Sequence, residues 1–188
     1  METSRIVKKS KSGFTLVELL VVIGIIGVLT GIAVPNLVAW LPDYRLKSAA
    51  NDLYRNMQFA KLSALKQNKE WAIVFDSNAN KYYICSAKGS DNSWAIANNT
   101  IEKEVRLPDK NGVQYGHGNA ANDATLGAGQ SFSDNDITFQ YNYATFNAMG
   151  RGNAGYVYLE NEKQTAYAVG KESTGYISTK KWRGIEWN

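Results

Sequence analysis

The chain has 188 residues, with 21 Lys and Arg against 17 Asp and Glu, one His and one Cys. Its formal charge of +4 is concentrated at the start, where Arg5, Lys8, Lys9 and Lys11 face only Glu2. The rest is therefore near neutral, which does not suit a nucleic-acid binder charged over its whole surface. The single Cys85 excludes an internal disulfide framework and a multi-thiolate zinc site, and the single His117 excludes a His-based metal cluster.

Residues 14–34 read FTLVELLVVIGIIGVLTGIAV, with Glu18 the only charge, and Pro35 follows. A helix over this run, at ~1.5 Å per residue, is about 32 Å long and matches a bilayer core of about 30 Å. The basic flank precedes it, so the positive-inside rule leaves the N-terminus cytoplasmic and sends the body outward. A secretory signal peptide shares the basic start, but its apolar part is shorter and ends in small residues at a cleavage site. A retained anchor is the better reading. Glu18 is its anomaly, because an acid in an apolar core costs on the order of a few kcal/mol and calls for a partner. The alternative is that Glu18 lies at the membrane edge, protonated or snorkelling.

The segment Lys11-Ser12-Gly13-Phe14-Thr15-Leu16-Val17-Glu18-Leu19-Leu20 resembles the processing signal of type IV pilins and type II secretion pseudopilins. The resemblance implies that a prepilin peptidase/methyltransferase cuts between Gly13 and Phe14 and methylates the new Phe14 amine. It implies further that Glu18 pairs with the Phe14 amine of a neighbouring subunit, setting the axial register of a filament. Such pairing would offset the burial of both charges.

Gly24, Gly27 and Gly31 punctuate the anchor, and Gly27-x-x-x-Gly31 has the spacing that lets membrane helices approach closely. In the resembling family the stretch matching Gly27 to Pro35 can lose helicity in the filament, and weak helix formers here agree with that. Beyond Pro35, the residues Leu46, Ala49, Ala50, Leu53, Met57, Ala60 and Ala64 recur at helical steps, predicting an amphipathic helix over 43–68 that packs on the domain after it. Pro42-Asp43 suits a helix start or a kink better than a helix interior.

From Trp71 the period shortens to two. Residues 71–76 and 81–86 are expected to pair as strands around Ser77-Asn78-Ala79-Asn80. Further strands are expected at 101–107, 112–115, 136–141, 155–160, 164–169 and 175–179, with a long loop over 116–135, rich in Gly, Ala, Asn and Asp.

The predicted fold is α+β and pilin-like: a long N-terminal helix, half membrane-spanning and half amphipathic, packed on an antiparallel β-sheet head. Its parts are a leader at 1–13, a transmembrane and assembly helix at 14–35, an amphipathic half at 36–70 and a periplasmic head at 71–188. Arg45 to Leu53 and the stretch from Phe139 to Gly155 resemble the GspH/FimT branch. The resemblance implies a non-enzymatic minor pseudopilin of a type II secretion pseudopilus. The alternative is a FimT/FimU-like minor pilin of a type IV pilus, acting in assembly, motility or DNA uptake. The implied location is the bacterial inner membrane, single-pass with the head periplasmic, and then a pilus-like filament. The implied partners are the peptidase/methyltransferase, other pilin or pseudopilin subunits, an inner-membrane assembly platform and, before assembly, membrane lipid. No cofactor or metal is expected.

Three further constellations carry residue types capable of chemistry or binding. Cys85 and His117 are a formal nucleophile pair, but Cys85 lies in an alternating strand that predicts a buried thiol, and His117 has no evident orienting residue. Asp123, Asp134 and Asp136 are oxygen ligands of the kind calcium takes, in a spacing that matches no calcium loop. Lys180, Lys181 and Arg183, with Trp182 and Trp187 nearby, combine bases with aromatics. Some FimT-like minor pilins bind DNA and resemble one another in a Gly-Arg-x-Arg signature near the C-terminus, but Gly175-Tyr176-Ile177-Ser178 lacks both arginines and Gly150-Arg151-Gly152-Asn153 carries one. DNA is disfavoured as a partner.

Overall fold

In the computed structural model, which describes residues 13–94, 98–107, 112–124 and 132–188, one helix and eight strands follow in chain order. Helix α1 spans Leu16–Gln67, and the strands are β1 (Trp71–Asp76), β2 (Lys81–Ala87), β3 (Thr100–Arg106), β4 (Gln114–Tyr115), β5 (Tyr143–Phe146), β6 (Gly155–Glu160), β7 (Ala166–Lys171) and β8 (Ile177–Lys181). The chain divides into two units, one ending at Ala39 and one beginning at Trp40. The basic leader residues Arg5, Lys8, Lys9 and Lys11 lie outside the described residues.

In the first unit every described side chain is exposed. The residues are nonetheless apolar, with a mean hydropathy of 2.6 in the richest window, and α1 is long and apolar enough to cross a membrane. The helix continues through Pro35 and Pro42. No helix starts at Pro42, because flanking hydrogen bonds carry the helix past one missing N–H donor.

In the second unit the predicted stripe is the buried face. Leu46, Ala49, Ala50, Leu53, Met57, Ala60 and Ala64 are the buried residues of α1. They share one core with Ile73, Phe75, Ile84, Phe146, Val157, Leu159 and Val169 from the sheets. Alanines at four of the seven helix positions bring the backbone close to the strands, so large side chains from the sheet side fill the volume. The helix ends in a Schellman motif: Asn68 takes a left-handed φ of 49°, while its N–H donates to Leu65 O and the Lys69 N–H to Ala64 O.

Two antiparallel four-stranded sheets follow, ordered β3-β2-β1-β5 and β4-β6-β7-β8. Asn80, left-handed at φ 52°, ends the predicted turn between β1 and β2 and ties the sheets together. Its carbonyl accepts from the Leu107 N–H, its Nδ2 donates to Val113 O, and its Oδ1 accepts from the Tyr115 N–H.

Most strand expectations hold to within two residues, and the shifts share a cause. Gly112, Gln164 and Gly175 adopt positive φ, so β4, β7 and β8 each begin two residues later than the alternation suggested. The expected strand at 136–141 is corrected. Ile137 makes an isolated bridge with Val157, and a 3-10 turn at Gln140–Asn142 follows. Asp136, Tyr141 and Asn142 are left-handed, which no regular strand tolerates, so pairing with β1 begins only at β5. In the expected loop at 116–135, residues 125–131 lie outside the described residues. Ala120, Asp123 and Ala124 there are buried rather than solvated.

Candidate processing and assembly site

Gly13, Phe14 and Thr15 precede the first helical residue in irregular backbone. The Gly13–Phe14 bond thus lies outside the helical hydrogen-bond ladder, in exposed chain. A Cβ at Gly13 would meet nothing within 4 Å, and Phe14 is 86% exposed.

Helix α1 opens with a capping box. The Thr15 carbonyl accepts the first helical bond from the Leu19 N–H. Thr15 Oγ1 accepts from the Glu18 N–H at 3.2 Å, and Glu18 Oε2 accepts from the Thr15 N–H at 2.9 Å. The Thr15 hydroxyl also donates to Oε2 at 2.9 Å. Two orphan donors of the helix start are thus satisfied reciprocally, and the carboxylate sits where the positive end of the helix dipole favours it. Thr15 is the residue the sequence reasoning passed over. Its signal was the Thr-x-x-Glu spacing ahead of an apolar run. All the bonds Glu18 accepts go to Oε2, so among the described residues Oε1 stays open to a further donor.

Further along the same unit, Gly27, Gly31 and Pro35 stand four residues apart on one helix face. Pro35 has no N–H, so the Gly31 carbonyl loses its helical partner. A Cβ at Gly24, Gly27 or Gly31 would meet nothing within 4 Å. Among the described residues nothing requires those glycines to be small.

The basic cluster at the end of β8 is split by strand alternation. Lys180 donates to Ala124 O at 2.9 Å and lies over the Tyr156 ring. Lys181 points to the other face, over Tyr167, and lines a groove with Arg183. The three bases therefore do not form one patch, as a shared phosphate contact would need.

Cys85 is 1% exposed, and burial pushes its thiol up to about 11, leaving almost no thiolate at neutral pH. It packs with Ala72, Val74, Tyr83 and Trp94. His117 instead stacks on Phe132 and bonds through Nδ1 to Asp136. An orienting carboxylate therefore does exist for His117. The sequence hid it because left-handed Asp136 lies nineteen positions further along. Asp136 is thus engaged by His117, and Asp123 is buried beside Tyr158.

Comparison with known proteins adds to this geometry. Residues 8–34 match the prokaryotic N-terminal methylation motif, and residues 49–175 match the type II transport protein GspH family. No curated protein sequence matches the chain. Among solved structures, the chain is similar to the minor pseudopilin EpsH from the type 2 secretion system of Vibrio cholerae. One structure of it shows 12% identity and a TM-score of 0.47, covering 72% of this chain and 95% of EpsH. A second shows 13% identity and a TM-score of 0.46, covering 77% and 95%. With the greater part of its length matched after an N-terminal methylation motif, the chain belongs to the type II transport protein GspH family.

Proposed function

We propose that this chain is a minor pseudopilin of a type II secretion pseudopilus, cut between Gly13 and Phe14, methylated on Phe14 and assembled through α1. The observation that carries the reading is the exposed Gly13–Phe14 junction beside a helix start closed by Thr15 and Glu18, in a chain of the GspH family. The family match is to a transport-protein domain, which favours secretion over the minor-pilin alternative.

The local geometry suits each step. Hydrolysis of an irregular, exposed bond requires no unwinding of helix. It frees an ammonium on Phe14 while keeping the Thr15 N–H, so Oε2 of Glu18 retains both its bonds. Oε1 is then available to a neighbouring subunit's Phe14 amine, which stays basic after methylation. Capping and register are therefore compatible duties of one carboxylate. Burying the two charges together in an apolar filament offsets the cost of burying either alone. The Gly31 carbonyl freed by Pro35 supports local loss of helix during that transfer. Until assembly the span rests in the inner membrane, with the N-terminus cytoplasmic and the head periplasmic.

Intact-mass measurement of the chain from cells with and without prepilin peptidase tests the processing. The expected species begins at Phe14 and carries one methyl group. An uncut chain in peptidase-positive cells would refute it. A complementable loss of specific secreted proteins on deletion tests the secretion assignment, and an unchanged secretome would overturn it.

A further inference from the structure

A groove of about 670 Å³ runs along one face of α1 in the second unit. Its helix wall includes Trp40, Tyr44, Lys47 and Arg55, and facing them are Tyr167 and Lys181 from the strands and Arg183 just beyond β8. Four cations and two carboxylates line it. Asp43 is already engaged, accepting from Asn161 Nδ2, Thr165 Oγ1 and Lys163 Nζ, and Asp52 lies 4.0 Å from Arg55. Among the described residues, neither the Lys47 ammonium nor the Arg183 guanidinium donates a hydrogen bond. The groove therefore carries excess positive charge in a protein body that is otherwise near neutral.

Its other feature is aromatic. Trp40 and Tyr44 pack with ring centroids 4.9 Å apart and planes tilted by 34°, and they stay 56% and 54% exposed. No charged residue lies between Glu18 and Asp43, so Trp40 falls at the end of the uncharged run, where Trp and Tyr mark the level of lipid headgroups. Lys47 follows two helical turns later, about 10 Å along the axis.

The geometry points to a binding groove for the phosphate of an anionic phospholipid headgroup, with Lys47, Lys181 and Arg183 as its donors and the Trp40–Tyr44 pair beside the glycerol region. It rests on the reading of the apolar run as a membrane span. The alternative occupant, an acidic segment of another subunit, would explain the cations. It would not explain an exposed aromatic pair at the end of the span. Held this way, an unassembled subunit keeps an anionic lipid in the groove, and extraction into a filament releases it.

The test is native mass spectrometry of the full chain in detergent, supplied with phosphatidylglycerol or phosphatidylcholine, beside the K47Q/K181Q/R183Q variant. The natural chain is expected to retain phosphatidylglycerol over phosphatidylcholine by at least about tenfold, and the variant to lose that preference. Leader cations are the same in both chains, so the difference reports the groove. K47Q and R183Q singly, both at exposed positions, keep the test alive if the triple variant misfolds. Equal retention by variant and natural chain overturns the proposal. So does displacement of the lipid by inorganic phosphate alone, or headgroup-independent crosslinking of the groove to a second protein chain. Carbonate extraction of membranes checks the span separately: a chain washed off refutes the span itself, whereas an integral chain without lipid preference refutes only the groove.

Discussion

The ammonium of Lys171 lies 5.0 Å from the centre of the Phe146 ring, buried in the head at 1% exposure with no hydrogen-bond acceptor among the described residues. Burial first, and then the nearby charge of Lys61, lower its pKa from 10.5 to about 8. The cation–π contact offsets only part of the desolvation cost.

That arrangement makes the stability of the head depend on pH in a defined direction. Between about 8 and 10.5 the unfolded chain holds the proton that the folded chain has lost, so stability rises with pH across that window. Below it both states are protonated and the folded state bears the cost of a buried charge, on the order of 3 kcal/mol. Lys171→Met is therefore expected to stabilise the protein at pH 7 by about 1–3 kcal/mol, or roughly 2–4 °C in Tm per kcal/mol. The gain should shrink above pH 10. Thermal unfolding of the full chain in detergent at the two pH values checks this, and a variant less stable at pH 7 would show that the cation–π contact dominates.

Capping and register at the helix start are separable by two substitutions. Glu18→Gln retains an acceptor for the Thr15 N–H, since a capping box accepts Gln as well as Glu, but it has no charge for a neighbour's amine. Thr15→Ala removes the hydroxyl and keeps the carboxylate, at a cost of about 1 kcal/mol to the helix end. The expectation is that E18Q is processed normally yet fails to enter filaments, whereas T15A enters them at a modestly reduced level. Filament shearing followed by immunoblotting reads both. Equal defects in the two variants would mean that Glu18 acts through the cap alone.

Gly175 occupies a position that no other residue fits well. Its φ is 87°, a Cβ would stand 2.1 Å from the Gly150 carbonyl oxygen, and its own carbonyl accepts from Lys61 Nζ at 2.9 Å. Gly175→Ala would thus have to move the turn before β8 and weaken the tie from that turn to α1. A loss of about 2–4 kcal/mol is expected from strain and backbone displacement together, visible as a lower Tm. A near-neutral result would show that the 147–152 turn yields.

Periodicity made one half of this molecule legible and turn chemistry concealed the rest. The seven apolar positions from Leu46 to Ala64 are the seven buried residues of α1, because a single buried stripe leaves a 3.6-residue signature that local sequence carries unaided. The Gly13–Phe14–Glu18 arrangement was legible as a motif, but its capping role was read only once Thr15 was placed. The tract from Asp136 to Phe146 misled because its direction is set by left-handed Tyr141 and Asn142, and neither residue type announces that conformation as glycine does. The His117–Asp136 pair and the Trp40-to-Arg183 groove are products of tertiary folding. Their members are separated along the chain, so no local window contains them.

Pro35 and Gly31 lead to a prediction about motion rather than stability. The missing Pro35 N–H leaves the Gly31 carbonyl without its helical donor, and Gly27 and Gly31 are themselves poor helix formers. Pro35→Ala restores the donor and should favour the local helix by about 3 kcal/mol. If loss of helix here is part of the passage from membrane to filament, the stiffened variant should be cleaved and methylated normally but assemble less. Hydrogen exchange in micelles should show slower exchange for amides near residue 35, which establishes that the helix was stiffened. Slower exchange with unchanged assembly would separate the two and remove helix loosening from the mechanism.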